Sequence, residues 1–314
     1  MTRLRIQPSI TEVIPIPPYI PFTQEQKQQA AATDLEAFLQ SRGEKLIRSG
    51  REKRLASDHS VTICGGEWYD HAAGRGGNAI SFLQEHYNMS FPEAVQTLLS
   101  GDFKPAEPID REPPKPFALP EAHSDMRRVF AYLTKTRGID SRVAAAFAHD
   151  KLLYEDAKYH NAVFVGRDEN GTPVHAHIRS TNSHGKPFRL NIEGSDPRYS
   201  FHHIGTNGSL LVFEAPIDLL SHISLHPRNW QENSYVACCG TSIQPVLKTL
   251  EQMPRADTVL LCLDNDEAGQ AANRRMADQL EAEGLTVMEQ VPKRKDWNDE
   301  LLAQRQSAVQ LAGL

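Results

Sequence analysis

From Ser209 onward the chain alternates short apolar runs with helical repeats, and that rhythm admits few folds. Ser209–Glu214, Tyr235–Cys239, Thr258–Asp264 and Leu285–Val291 read as strands, while Ile217–Leu225, Ile243–Met253 and Glu267–Glu283 have helical spacing. Runs as unbroken as Leu210-Leu211-Val212-Phe213 and Val259-Leu260-Leu261-Cys262-Leu263 imply strands covered on both faces, the condition of a mostly parallel sheet in an α/β fold. Sites in such sheets collect at the carboxyl ends of the strands. Two of these strands end in acids, Glu214 in one and Asp264-Asn265-Asp266 in the other. A carboxylate at the end of a buried strand is costly unless it is paired or binds a cation. Asp218 follows Glu214 by one helical turn, and Lys295-Asp296-Trp297-Asn298-Asp299-Glu300 returns acids after the last strand. Either Asp264 or Asp266 is also placed to cap the helix from Glu267. Glu214, Asp218, Asp264, Asp266 and Asp296, all at strand-end positions, together point instead to one pocket around a divalent ion, and Mg²⁺ takes carboxylate oxygens.

The rest of the chain divides by composition. Residues 1–21 carry Ile14-Pro15-Ile16-Pro17-Pro18 and read as an extended arm. Residues 22–101 read as a small domain, with a helix capped by Thr23, a helix from Asp34 to Arg42 stopped at Gly43, and β-like pieces at Lys53–Leu55, Ser60–Cys64 and Glu67–Asp70. A tight glycine turn is expected at Gly74-Arg75-Gly76-Gly77, followed by helices over Asn78–Tyr87 and from Ser90. Residues 102–122 hold six prolines and read as a semi-rigid linker. Over 123–207, helices at Met126–Thr136 and Ser141–Ala148 precede strands Val163–Gly166 and Val174–Ser180, joined by the hairpin signal Asp168-Glu169-Asn170-Gly171. Residues 208–314 hold the alternating sheet and a C-terminal tail.

Composition excludes several classes. With 39% hydrophobic and 24% charged residues the chain can bury an ordinary globular core. A net charge of −6 argues against a protein that coats DNA statically, though not against an enzyme that touches it transiently. Four cysteines without a C-x-x-C pair, and no apolar stretch near the ~20 residues of a membrane span, fit a cytoplasmic protein without a Cys-rich zinc site. No P-loop pattern occurs, so no helicase module of that type is expected. His175, His177, His202 and His203 read as hydrogen-bonding rather than metal-binding residues, and Cys238 and Cys239 as core residues on a buried strand.

Phe213-Glu214-Ala215-Pro216-Ile217-Asp218, followed by Leu263-Asp264-Asn265-Asp266-Glu267-Ala268-Gly269-Gln270-Ala271-Ala272, resembles the Toprim domain of bacterial DnaG-type primases. The chain departs from that pattern at Ala215-Pro216, at Trp297, and at Asn298, where a second acid is expected and Asp299 follows. The combination is similar to Toprim-containing, primase-like proteins with a DUF3991-type region, often carried by plasmids and integrative elements. Upstream, Asn161–Gly171, Arg179 and Lys186-Pro187-Phe188-Arg189-Leu190-Asn191 resemble the primase segment before the catalytic sheet, with Phe188 where the family carries a lysine. Trp68–Ile80 and Phe91–Val95 resemble the end of the primase zinc-binding domain, but its ligand positions fall on Ser49, Glu52, Asp70 and Ala73, none of which suits a structural zinc.

The resemblance implies an α/β Toprim parallel-sheet domain, preceded by a small mixed α+β subdomain and, over 22–101, a degenerate zinc-ribbon-like (DUF3991-type) domain lacking zinc ligands. It implies a Mg²⁺- or Mn²⁺-dependent, zinc-free primase-like nucleotidyltransferase of bacterial plasmid or mobile-element replication. Glu214, Asp264 and Asp266 would be catalytic and hold the metal with Asp218 and Asp296; Arg179, Lys186 and Arg189 would hold phosphates. Arg54 and Arg75, among Lys45, Arg48, Arg51 and Lys53, would touch template, with Trp68 or Tyr69 as a stacking platform. Expected partners are single-stranded DNA, NTPs or dNTPs, and a separately encoded helicase or relaxase, with no membrane. Two other readings stay open: a Toprim-type metal-dependent nuclease, and a non-catalytic nucleic-acid-binding accessory protein of replication or conjugation.

Overall fold

A computed structural model describes residues 22–49, 52–107, 115–182 and 188–312. The expected N-terminal arm lies outside them. The described residues form two compact units, one lying within residues 1–57, 63–68 and 76–108, the other within residues 58–62, 69–75 and 109–314.

In the N-terminal region, local chemistry sets the element ends. Helix α1 (Gln24–Ala31) opens on a capping box in which the Thr23 hydroxyl accepts from the Gln26 backbone and the Gln26 side chain accepts from Thr23 N–H. Helix α2 (Leu35–Ser41) is capped by Asp34, and Gly43, at φ +81, takes the chain out of it. Strands β1 (Leu46–Ser49), β2 (Glu52–Leu55), β3 (Val61–Cys64), β4 (Glu67–Asp70) and β5 (Arg75–Asn78) lie side by side in sequence order, before helices α3 (Ala79–His86) and α4 (Phe91–Ser100). The expected glycine turn over 74–77 is corrected. Gly74 alone takes a positive φ (+67), whereas Arg75–Asn78 is extended and Asn78 caps α3. A zinc ribbon is not established: Asp70 spends its Oδ1 on the N–H groups of Ala72 and Ala73, and so serves as a turn former.

The described parts of the proline-rich stretch are packed rather than free. Pro105 bridges Thr33, and Ala106 N–H donates to Ala32 C=O. Farther on, the Tyr154 hydroxyl donates to Pro120 C=O.

In the second unit, helix α5 (Arg127–Ala131) widens into a π-helical turn at Tyr132–Thr136, and α6 (Ser141–His149) follows. Strands β6 (Leu153–Glu155), β7 (Ala162–Arg167), β8 (Pro173–Arg179) and β9 (Arg189–Asn191) make an antiparallel sheet in that order. The β7–β8 turn forms as its sequence implies, with the Asp168 carboxylate accepting from Asn170 and Thr172 and Gly171 at φ +78. The last sheet uses β10 (His202–His203), β11 (Ser209–Phe213), β12 (Ser234–Ala237), β13 (Thr258–Leu261) and β14 (Thr286–Glu289), in the order β10-β12-β11-β13-β14. β10 is antiparallel to β12, and the other three pairings are parallel. Helices α7 (Pro216–Leu225), α8 (Gln244–Glu251), α9 (Glu267–Ala282) and α10 (Trp297–Ala312) complete it.

Along β11 alternate residues enter different cores. Leu211 and Phe213 pack with Leu219 and Leu220 of α7 and Trp297 and Leu301 of α10, whereas Leu210 and Val212 pack with Val246 of α8 and Ala272 and Met276 of α9. Both faces are therefore covered, which is why the strand reads as an unbroken apolar run. The expected strand through Cys239 ends earlier, at Ala237. Cys238 is a core residue, but half-buried Cys239 sits in the left-handed region (φ +55).

Candidate active site

β11 ends in Phe213, so Glu214 leaves the sheet at its carboxyl edge and Pro216 starts α7 directly after it. One turn into α7 the Asp218 carboxylate is buried. β13 leads through Cys262 and Leu263 to Asp264, and α9 starts three residues later. Gly269 lets that helix approach, since a Cβ there would stand 2.1 Å from the Asp264 carbonyl oxygen. Asp296 precedes α10 and accepts from Asp299 N–H at 2.7 Å. All five acids, Glu214, Asp218, Asp264, Asp266 and Asp296, line one cleft of about 270 Å³, together with Arg137, Arg179, Arg189 and Lys295.

Capping and cleft roles are distributed unequally. Asp266 does cap α9, accepting from Gly269 N–H at 3.0 Å, and still faces the cleft, with Lys295 Nζ 4.0 Å from its other oxygen. Asp264 caps no helix among the described residues, and its Oδ1 is buried without a hydrogen-bond partner among them. Burial, together with repulsion from Asp218, Glu214, Asp296 and Asp266, pushes the Asp264 carboxyl up to about 8. Burial and repulsion from Asp296 and Glu214 push Asp218 up to about 7, against the hydrogen bond it accepts from Asn298 N–H. Hard oxygen donors, mutual repulsion and an orphaned buried oxygen form a donor set that suits a small divalent cation.

Arg189 Nη2 donates to Glu214 Oε1 at 3.2 Å. Arg179 closes β8 and leans on the Tyr132 hydroxyl. Lys186 lies outside the described residues. Phe188, at the family's lysine position, is exposed.

Arg137 and the part played by Asn298 are not legible in the sequence. Arg137 donates to the Tyr132 hydroxyl at 2.8 Å and to Asn298 Oδ1 at 3.0 Å, while the Asn298 amide donates to Arg137 C=O (2.8 Å) and to the Ser221 hydroxyl (2.9 Å). Asp299 is exposed on α10 and does not replace Asn298. The only local signs were a cation before Gly138, which turns at φ +69, and an amide where an acid was expected. His177 also lines the cleft, its Nδ1 2.7 Å from Asn191 Oδ1.

Among the residues expected to touch template, Arg54 lies on β2, its Nε 3.2 Å from the Ser49 hydroxyl, and Arg75 is exposed on β5. Lys53 pairs with Glu36. Trp68 is corrected as a platform: at 3% exposure, donating to the Ser81 hydroxyl and edge-on to Phe82, it belongs to the core. Tyr69, 43% exposed, is the ring that solvent reaches.

With this geometry in hand, comparison with known proteins gives two domains. Residues 211–301 match the Toprim-like family and residues 131–207 match DUF3991, a family described as a protein of unknown function. The DUF3991 region therefore falls within the subdomain before the parallel sheet and not over 22–101. An uncharacterized protein of Bacillus anthracis is 29% identical over 312 residues, with 89% of each chain covered. The zinc-binding and RNA polymerase domains of the Aquifex aeolicus primase are 16% identical, with 91% of this chain and 85% of that one covered at a TM-score of 0.40. The primase fragment of the bacteriophage T7 primase-helicase is 15% identical, with 82% and 94% covered at a TM-score of 0.43.

Proposed function

Taking the chain as one that carries a Toprim-like domain behind a DUF3991 region, we propose that it is a metal-dependent nucleotidyltransferase of primase type, making short primers on single-stranded DNA for a plasmid or mobile element. The observation that carries this reading is the meeting of five carboxylates and three arginines in one cleft at the carboxyl edge of the parallel strands, with Asp264 Oδ1 lacking a hydrogen-bond partner among the described residues.

Glu214, Asp264 and Asp266 would hold one or two Mg²⁺ or Mn²⁺ ions, with Asp218 and Asp296 in support. When bound, the ion neutralises charge on phosphate oxygens and lowers the pKa of the attacking 3′-hydroxyl. Arg179 and Arg189 orient the triphosphate; Arg189 does so from the edge of the cleft, where its contact with Glu214 also keeps that carboxylate aimed inward. Arg137 and Asn298 tie the start of α10 to α7, and so hold Asp218 and Asp296 at a fixed separation.

The test is incorporation of labelled NTPs or dNTPs on single-stranded DNA with Mg²⁺ or Mn²⁺, in the wild type, Glu214→Gln and Asp264→Asn. Template-dependent product lost in both variants is expected. Nicking of plasmid DNA without incorporation, lost in the same variants, reassigns the cleft to hydrolysis. Neither activity, with biological function intact in Asp264→Asn, overturns an enzymatic role.

A further inference from the structure

A second group of ligand-type side chains lies in the same unit, apart from the acidic cleft. His123 precedes α5, Glu155 ends β6, and His160 stands in the turn before β7; one ligand atom from each lies within 4.8 Å of the others. Glu155 is 1% exposed, and among the described residues no lysine or arginine side chain pairs with it. A buried carboxylate in that position needs compensation. Part of it comes from Arg128 and Val129, whose backbone N–H groups donate to Oε2 at 3.0 and 3.1 Å. The other oxygen, Oε1, is hydrogen-bonded to His160 Nδ1 at 2.6 Å, a contact that an ion held between the two side chains would replace.

The surroundings orient all three side chains. His123 Nδ1 meets the Asp125 main chain, with the Asp125 nitrogen at 3.2 Å and its oxygen at 3.0 Å, which leaves Nε2 as the atom available to a ligand. The His123 main chain is fixed by its N–H, which donates to Glu155 C=O at 2.8 Å, and by the bridge between Ala122 and Asp156. His160 sits at φ +59, a conformation that disfavours a residue with a side chain. The Asp156 carboxylate holds it there, accepting from the N–H groups of Lys158, Tyr159 and Asn161, while Thr181 donates to His160 C=O. Imidazoles fixed through their second nitrogen or their backbone, and a carboxylate fixed through its second oxygen, form the supporting shell that metal ligands require.

We infer that His123, Glu155 and His160 form a second metal site, which takes one borderline-soft divalent ion of the Zn²⁺ class. Two nitrogens and one oxygen suit Zn²⁺ or Co²⁺ and disfavour Mg²⁺, which takes oxygen ligands. Three protein ligands leave a coordination position to water. The site joins the chain just before α5 to the β6–β7 turn, so its ion ties the segment ahead of the DUF3991 match to that region and is no part of the acidic cleft. It shares no residue with the four positions of the zinc-ribbon resemblance.

The experiment uses the full chain stripped with chelator and titrated with Co²⁺ in excess Mg²⁺. One Co²⁺ per chain with a visible ligand-field band is expected; Zn²⁺ should displace it and raise the unfolding temperature. His123→Gln and His160→Gln should each weaken binding by at least about 10–100-fold, whereas Asp264→Asn should keep the band. His160→Gln risks disturbing the turn, so His123→Gln, with an unchanged circular dichroism spectrum, is the deciding variant. No band, a band that survives His123→Gln, or a band lost only in Asp264→Asn overturns the site.

Discussion

Asp264→Asn should make the metal-free protein more stable at alkaline pH while removing its response to Mg²⁺. The carboxyl is pushed from the ordinary 3.8 to about 8 by burial and by four neighbouring acids. Its folded-state pKa lies above its unfolded one, so between these values the native state binds more protons. Stability is therefore lost as pH rises from about 4 to about 8. At about 1.4 kcal/mol per pKa unit the upper bound is about 6 kcal/mol. Sharing of protons with Asp218 and the water in an open cleft reduce this to roughly 2–3 kcal/mol. Urea unfolding of wild type and variant in EDTA at pH 8 should show that gap, and the gap should narrow as pH falls toward 4. Added Mg²⁺ should stabilise the wild type and leave the variant nearly unchanged. A variant less stable than wild type at pH 8 in EDTA, with an equal Mg²⁺ response, would refute the argument that Asp264 is an uncompensated charge awaiting a cation.

Three further outcomes follow from the same geometry. Asn298→Ala removes three side-chain hydrogen bonds to Arg137 and Ser221 and should cost about 2–4 kcal/mol in denaturant unfolding; a loss below about 0.5 kcal/mol contradicts its role as a tie. Gly269→Ala places a methyl group against the Asp264 carbonyl and should cost about 1–3 kcal/mol as well as weakening Mg²⁺-dependent stabilisation, read by thermal shift with and without the ion. Burial, with a smaller push from His177, lowers His175 to about 4, so its contribution is complete above about 6.5 and is lost as pH falls from there through the folded value; the loss at pH 5 is at most about 2 kcal/mol, and His175→Gln should flatten the acid limb of a urea-midpoint profile by up to that amount.

What could be read from the sequence follows from how local its causes are. Thr23, Asp34 and Asn78 cap helices through bonds spanning three residues or fewer, and β11 is apolar from Leu210 to Phe213 because both of its faces are buried. The acids at strand ends were visible for the same reason. β5, with the sequence Arg-Gly-Gly-Asn, carries no apolar face and reads as a turn; β9 is wholly exposed, and it too gave no periodic signal. α10 carries no periodic signal, since among its described side chains the buried ones are Trp297, Asn298 and Leu301 near its start. Arg137 and Asn298 lie 161 positions apart, and no local pattern could have joined them. Trp68 was misplaced because an aromatic residue among cations suits a stacking surface as well as it suits a core.

The amide at position 298 also sets where the cleft can give way. It is wired to α7, to Ser221 and to the turn after the π-helical segment, so the wall bearing Asp218 and Asp296 resists displacement as one piece. β9, three exposed residues, also borders the cleft, and from it a half-exposed Arg189 reaches Glu214. Under the proposed reading, variants of Arg189 should alter which nucleotide is preferred and, because Arg189 also holds Glu214, should weaken ion binding as well.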